Sequence, residues 1–120
     1  MESRQAIGKW GEQVAVEYLA GRGVNILARN VRTPYGEIDI IGQCEGALVF
    51  VEVKTRTTTR LGMPETAVTE QKAAHLQDAA EHYLQQNPEA GENWRIDVVA
   101  VLGRPGDRKP QIEWFEDVVA

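Results

Sequence analysis

Two segments of the chain carry side chains able to act on a phosphate: Gly36-Glu37-Ile38-Asp39 and, about a dozen residues later, Val51-Glu52-Val53-Lys54. Both read as strands, and a strand shows every second side chain on one face. Glu37 and Asp39 therefore share a face, as do Glu52 and Lys54. The connection Gly42-Gln43-Cys44-Glu45-Gly46 is polar with two glycines, as a hairpin requires. Folding there lays Asp39 beside Glu52, so that two acids and a lysine meet at one end of an apolar sheet. Such clustering is costly unless a cation or a substrate uses it. The chemistry it suits is phosphodiester hydrolysis. Carboxylates from adjacent strands can hold a hard divalent ion beside the scissile group, and a lysine on the same face can orient water or offset charge developing on phosphate oxygens.

Around these strands the pattern predicts an order α-β-β-β-α-β-β. Ile7, Trp10, Val14, Tyr18 and Leu19 recur at helical spacing, giving a first helix over residues 4–21 that Gly21 and Gly23 end. Gly8 and Gly11 lie inside it on nearly one face, each costing roughly 1 kcal/mol relative to alanine; that implies close approach of something to the helix. A first strand is expected over 24–31, a turn at Thr33-Pro34-Tyr35-Gly36, strands over 37–42 and 47–55, and a polar loop over 57–62. Thr69 is the expected N-cap of a second helix over 70–86, with Ala73, Leu76, Ala80, Tyr83 and Leu84 as its buried stripe. Asn87-Pro88 ends it. A fourth strand over 94–102, a Gly/Pro/charged connection over 103–110 and an edge strand over 111–115 complete the chain. One mixed sheet flanked by helices, a single domain over 1–120, is the economical α/β arrangement.

The 120 residues suffice for one good core, and the 42% hydrophobic and 26% charged fractions are those of an ordinary globular domain. The longest apolar run, Ala47 to Val51, is too short to span a bilayer, and the N-terminus carries no signal-peptide core. No membrane association and a cytoplasmic location are the expectation. One cysteine, Cys44, excludes an internal disulfide. The net charge of -5 argues against nucleic acid until its distribution is considered. Residues 61–93 hold six acids against Lys72 alone, and the rest of the chain is neutral. With three of its acids bound to metal, the surface of the first 60 residues would be basic.

An acid, about a dozen residues, then Glu-x-Lys on the next strand resembles the PD-(D/E)xK nucleases, the restriction-endonuclease-like superfamily. The chain is more closely similar to the YraN-like family of small bacterial proteins, regarded as predicted endonucleases related to archaeal Holliday-junction resolvases. That resemblance runs through Gly8-Lys9-Trp10-Gly11-Glu12, Tyr18-Leu19, Gly36 to Ile41, Leu48 to Arg56, Ala67-Val68-Thr69 and Asp97-Val98-Val99. It implies a restriction-endonuclease-like core and a Mg²⁺- or Mn²⁺-dependent endonuclease acting on DNA, branched substrates of the resolvase kind included. On the matching positions it makes Asp39 and Glu52 metal-binding and catalytic acids, Lys54 the catalytic lysine, Glu12 the helix-borne acid completing the site, and the Val53 peptide oxygen a further metal ligand. Two departures stand out: Lys72 is followed by Ala73 and Ala74 where relatives carry more basic residues, and Ile38 rather than proline precedes Asp39.

Arg29, Arg32, Arg56, Arg60 and Lys72 are candidate phosphate contacts. Glu37 reads as capping its turn or pairing with Arg32 rather than binding metal, and Asp97, in an apolar strand, as a structural hydrogen-bond acceptor for a loop. His75 and His82 lack the further ligands zinc needs; Cys44 reads as incidental, and Trp10, Trp94 and Trp114 as core or interface residues. Two competing functions remain open: a non-catalytic module that binds nucleic acid or recruits a partner while keeping the nuclease fold, and a protein-binding adaptor using the acidic segment 61–93. Resolvase-like relatives are dimers, which leaves a homodimer open as well.

Overall fold

The computed structural model describes residues 3–58 and 70–118, the first four of the second stretch by backbone alone. Helix α1 (Arg4–Gly21) starts at Ser3, whose hydroxyl accepts the Ala6 N–H at 3.1 Å. Three consecutive strands follow, β1 (Asn25–Thr33), β2 (Gly36–Cys44) and β3 (Ala47–Arg56). Then come α2 (Glu70–Gln86), a 3₁₀ turn at Pro88–Ala90, β4 (Trp94–Leu102) and β5 (Gln111–Phe115). This is the expected order. Thr69, the loop beyond Thr58 and the side chains of Ala73 and Lys72 lie outside the described residues.

The five strands form one mixed sheet in the order β1-β2-β3-β4-β5. Pairing is antiparallel except between β3 and β4, which run parallel with Val51 opposite Asp97 and Lys54 opposite Ala100. A parallel pair needs a long crossover, and α2 lies within it. β2 runs on to Cys44 because the hairpin needs only Glu45 and Gly46, at φ of 51° and 82°. Positive φ at both central residues is the backbone of a two-residue hairpin turn.

Each face of the sheet is covered by one helix. On the α1 side, Ala15 and Leu19 pack with Ile40, Val49, Val51, Val99 and Val101. On the α2 side, Leu76, Ala79 and Ala80 pack with Ile38, Ile41, Phe50 and Ile96. β3 supplies both layers, which is why its apolar run has no alternation. The buried positions of α1 are Gly11, Ala15 and Leu19, and the small Gly11 and Ala15 let the helix lie close to the sheet. A Cβ at Gly11 would overlap the Thr55 side chain, which makes β3 the close neighbour that this glycine admits.

The outer hairpin changes face partway along. Regular strands alternate, yet Ile38 and Ile41, three residues apart, both pack on the α2 side while Ile40 packs toward α1. Ala28 and Val31 of β1 behave alike. The β1–β2 ladder passes from Arg29↔Ile40 to Val31↔Ile38 without an Asn30–Asp39 pair, and Asn30 has φ of 51°. Asparagine tolerates this left-handed conformation better than most residues. The switch of face therefore lies at Asn30 and Asp39.

Candidate metal and nucleic-acid site

Asp39 stands where β2 leaves β3. The ladder between these strands ends at Ile40↔Val51. Beyond it, the backbone N–H of Val53 donates to Asp39 Oδ2 at 2.8 Å instead of to a strand carbonyl. A strand residue turns its N–H and C=O toward the same neighbour, so the Val53 carbonyl faces this fork too, consistent with the ligand role the resemblance implies for it.

Three carboxylates converge at the fork. One oxygen each from Glu12 of α1 and from Glu37 and Asp39 of β2 lie within 4.8 Å of one another. Asn30 ties two of them: its Nδ2 donates to Glu12 Oε1 at 2.8 Å and to Glu37 Oε1 at 3.1 Å. The face switch at Asn30 is thus what turns its amide toward α1. Glu52 approaches Asp39 from β3, hydrogen-bonding its carboxyl, and pairs through Oε1 with Lys54 Nζ at 3.3 Å. The side chains of Glu52 and Lys54 are only 11% and 14% exposed, so this pair is shielded from solvent.

The concentration of charge acts on Asp39. Burial, first, then the negative charge of Glu52 push its carboxyl from 3.8 up to about 8, against the downward pull of the Val53 N–H; the charge of Glu12 and the hydrogen bond with Glu52 add to the rise. The rise favours the protonated form of Asp39 at neutral pH. All the converging donors are carboxylate oxygens, a set that suits Mg²⁺, Mn²⁺ or Ca²⁺ and not a soft metal.

The structure brings Asp39, Glu52, Lys54 and Glu12 together at the fork, in an arrangement other than the expected one. The tight trio contains Glu37 rather than Glu52. Glu37 faces Arg32 in the strand register, yet its carboxylate bonds Asn30. Asn30 is the residue that the carboxylate pattern does not single out; its signal is an amide residue, poor in strands, between two stretches of strand pattern.

Two hollows flank the fork. A cleft of about 490 Å³ lies between α1 and the outgoing end of β3, with Gly8, Glu12, Lys54 and Arg56 on its walls. A smaller one, about 200 Å³, lies toward α2 between Glu37, Glu52 and His75. Of the candidate phosphate contacts, Arg56 lines the large cleft, with Nη1 bonded to the Thr55 carbonyl at 3.2 Å. Arg29 donates to Gln13 Oε1 at 3.0 Å on the outer side of α1, and Arg32 is exposed on β1. Arg60 and the Lys72 side chain lie outside the described residues.

Asp97, fully buried, is structural as expected. It accepts from Trp114 Nε1 at 2.8 Å, the Asp117 N–H at 2.9 Å and Arg95 Nε at 3.1 Å, tying β4 to β5 and the segment after it. His82 stacks edge-on against Tyr35, with ring centroids 6.2 Å apart. No helix of the described residues is long and apolar enough to cross a membrane.

Fold and site together define a mixed α/β protein with an acid-and-lysine centre at a fork between two strands. Residues 11–101 match the profile of the Uncharacterised protein family UPF0102, and the chain belongs to that family. A UPF0102 protein of Mycolicibacterium vanbaalenii is 48% identical over 118 residues, covering 98% of this chain and 96% of its own. One from Syntrophomonas wolfei is 45% identical over 103 residues, covering 86% and 90%. Membership of a bacterial family, expected from the motifs, is thereby borne out. Among solved structures, SfsA of Pyrococcus furiosus in complex with Ca²⁺ aligns with a TM-score of 0.38 at 15% identity, over 93% of this chain and 63% of that one.

Proposed function

We propose that this protein is a Mg²⁺- or Mn²⁺-dependent endonuclease that hydrolyses phosphodiester bonds in DNA, with branched DNA the substrate to try first. The observation that carries the reading is the meeting of Glu12, Glu37 and Asp39 within 4.8 Å, beside the Glu52–Lys54 pair. Like charges so close repel unless a proton or a cation intervenes. The Asn30 amide bonds Glu12 and Glu37, and the raised Asp39 carboxyl is the charge-repulsion cost that a bound cation would relieve.

When bound, a divalent ion supplies charge stabilisation to the phosphate and a more acidic water. Glu12, Glu37 and Asp39 would hold it, with Glu52 and the Val53 carbonyl next to them. Lys54 is positioned by Glu52, and its ammonium can orient the attacking water or meet charge developing on the phosphate oxygens. Arg56 stands in the adjoining cleft as a phosphate contact.

The exposed acids Asp78 and Glu81 on α2 favour a second reading, a non-catalytic module that recruits a protein partner. Calorimetric titration of Mn²⁺ into wild type, Asp39→Asn and Glu52→Gln separates the two. The nuclease reading expects binding by the wild type and its loss in both variants, followed by Mn²⁺-dependent cutting in a panel of DNA structures. No Mn²⁺ binding by a folded protein, with DNA present as well, favours the module.

A further inference from the structure

We propose that the cleft between α1 and the end of β3 holds the phosphodiester next to the one being cut, and that Gly8 is the residue that admits the DNA strand. This rests on the endonuclease reading and extends it to a residue and a subsite.

The cleft is continuous with the acid centre, because Glu12 and Lys54 belong to both. A strand whose phosphate lies at the fork would run on into it. Its walls suit a phosphate: Arg4, Lys54 and Arg56 supply positive charge, Thr55 and Thr57 supply hydroxyls, and Glu12 is the one acid among the described lining residues. Charge-assisted hydrogen bonds from such groups are the strong contacts to phosphate oxygens.

Gly8 is the second observation. It lies inside α1, where glycine weakens a helix. Gly11, one turn on, is needed by Thr55, whereas a Cβ at Gly8 would have nothing within 4 Å. Packing within the described residues therefore gives no reason for glycine at position 8. What glycine provides there is bare backbone on a cleft wall, the surface that permits close approach of a ligand.

The test is anisotropy of a fluorescein-labelled four-way DNA junction, in Ca²⁺ to limit cutting, with wild type, Gly8→Ala and Gly8→Leu. Gly8→Ala should raise the melting temperature and Gly8→Leu should stay folded, since no atom of the described residues lies within 4 Å of the added Cβ. Gly8→Leu should bind DNA roughly tenfold more weakly or worse, with Gly8→Ala between it and wild type and Mn²⁺ affinity unchanged in both. Wild-type DNA affinity in Gly8→Leu overturns the subsite and leaves the endonuclease reading standing. A wild type that binds no DNA overturns both. Should Gly8→Leu misfold, Gly8→Cys in a Cys44→Ser background decides: DNA should slow its reaction with a maleimide, and an unchanged rate overturns the proposal.

Discussion

The Asp39 carboxylate accepts the Val53 N–H at 2.8 Å, so a side chain of β2 stands in the β3 ladder where a carbonyl would otherwise be. One bond thereby fixes the spacing between the strand that carries Glu37 and Asp39 and the strand that carries Glu52 and Lys54. It also keeps Asp39 buried, which is the main reason its carboxyl rises to about 8.

That rise sets a pH dependence. The folded protein keeps a proton that the unfolded chain releases near 3.8. Stability from this proton is fully present below the unfolded value and is lost as pH climbs to about 8, with a slope of about 1.4 kcal/mol per pH unit between. Without metal, Asp39→Asn should show a flatter stability–pH curve than wild type over this window, measured by urea unfolding. If Mn²⁺ binds as proposed, it displaces the same proton, so its binding enthalpy at neutral pH should vary with the ionisation enthalpy of the buffer in wild type and not through this group in the variant.

Lys54→Ala separates chemistry from architecture. Its ammonium contacts Glu52 rather than the apolar layers. Cleavage should fall by about 10²–10³, the usual loss when one stabilising donor is removed, while Mn²⁺ affinity persists and the protein stays folded at reduced stability, because Glu52 loses its shielded partner. A folded Lys54→Ala protein cutting at the wild-type rate removes the lysine from the mechanism.

Gly11→Ala tests the approach of α1 to β3. The added methyl meets the Thr55 side chain, and overpacking of this kind costs about 1–3 kcal/mol. Thr55→Ala should recover much of the loss in the double variant, giving a coupling energy readable from denaturant melts.

Asp97→Ala should destabilise by about 1–3 kcal/mol for each buried donor left unpaired, because the Trp114 and Asp117 donors lose their acceptor while Arg95 keeps Glu116. Protein that remains folded should bind Mn²⁺ as wild type does. A selective loss of metal binding would instead place Asp97 in the site.

Periodicity carries far in this chain. The bounds 4–21 and 70–86 of the helices and the sequence of five strands follow from spacing of apolar residues and from glycine and proline punctuation. Strand alternation likewise puts Glu52 beside Lys54. Glu37 reads in the sequence as a cap or an Arg32 partner because its true neighbours depend on a backbone event: the left-handed Asn30 swings an amide between Glu12 and Glu37, and Arg32, the partner suggested by register, loses that carboxylate. Gly11 announced a close approach correctly. Gly8 gave the same signal, and no atom of the described protein answers it.

The sheet order has a consequence for assembly in time. Glu12, Asn30, Glu37, Asp39, Glu52 and Lys54 come from four successive elements, α1 to β3, whose strands join through short hairpins. Contacts of that kind are close in sequence and form fast, whereas the parallel seam joining Leu48–Arg56 to Trp94–Leu102 must wait for distant chain to arrive. During synthesis every residue of the acid centre emerges before β4, with one edge of β3 still unsatisfied and open to other chains. The C-terminal strands thus give the centre no ligand; they close the edge on which it is built.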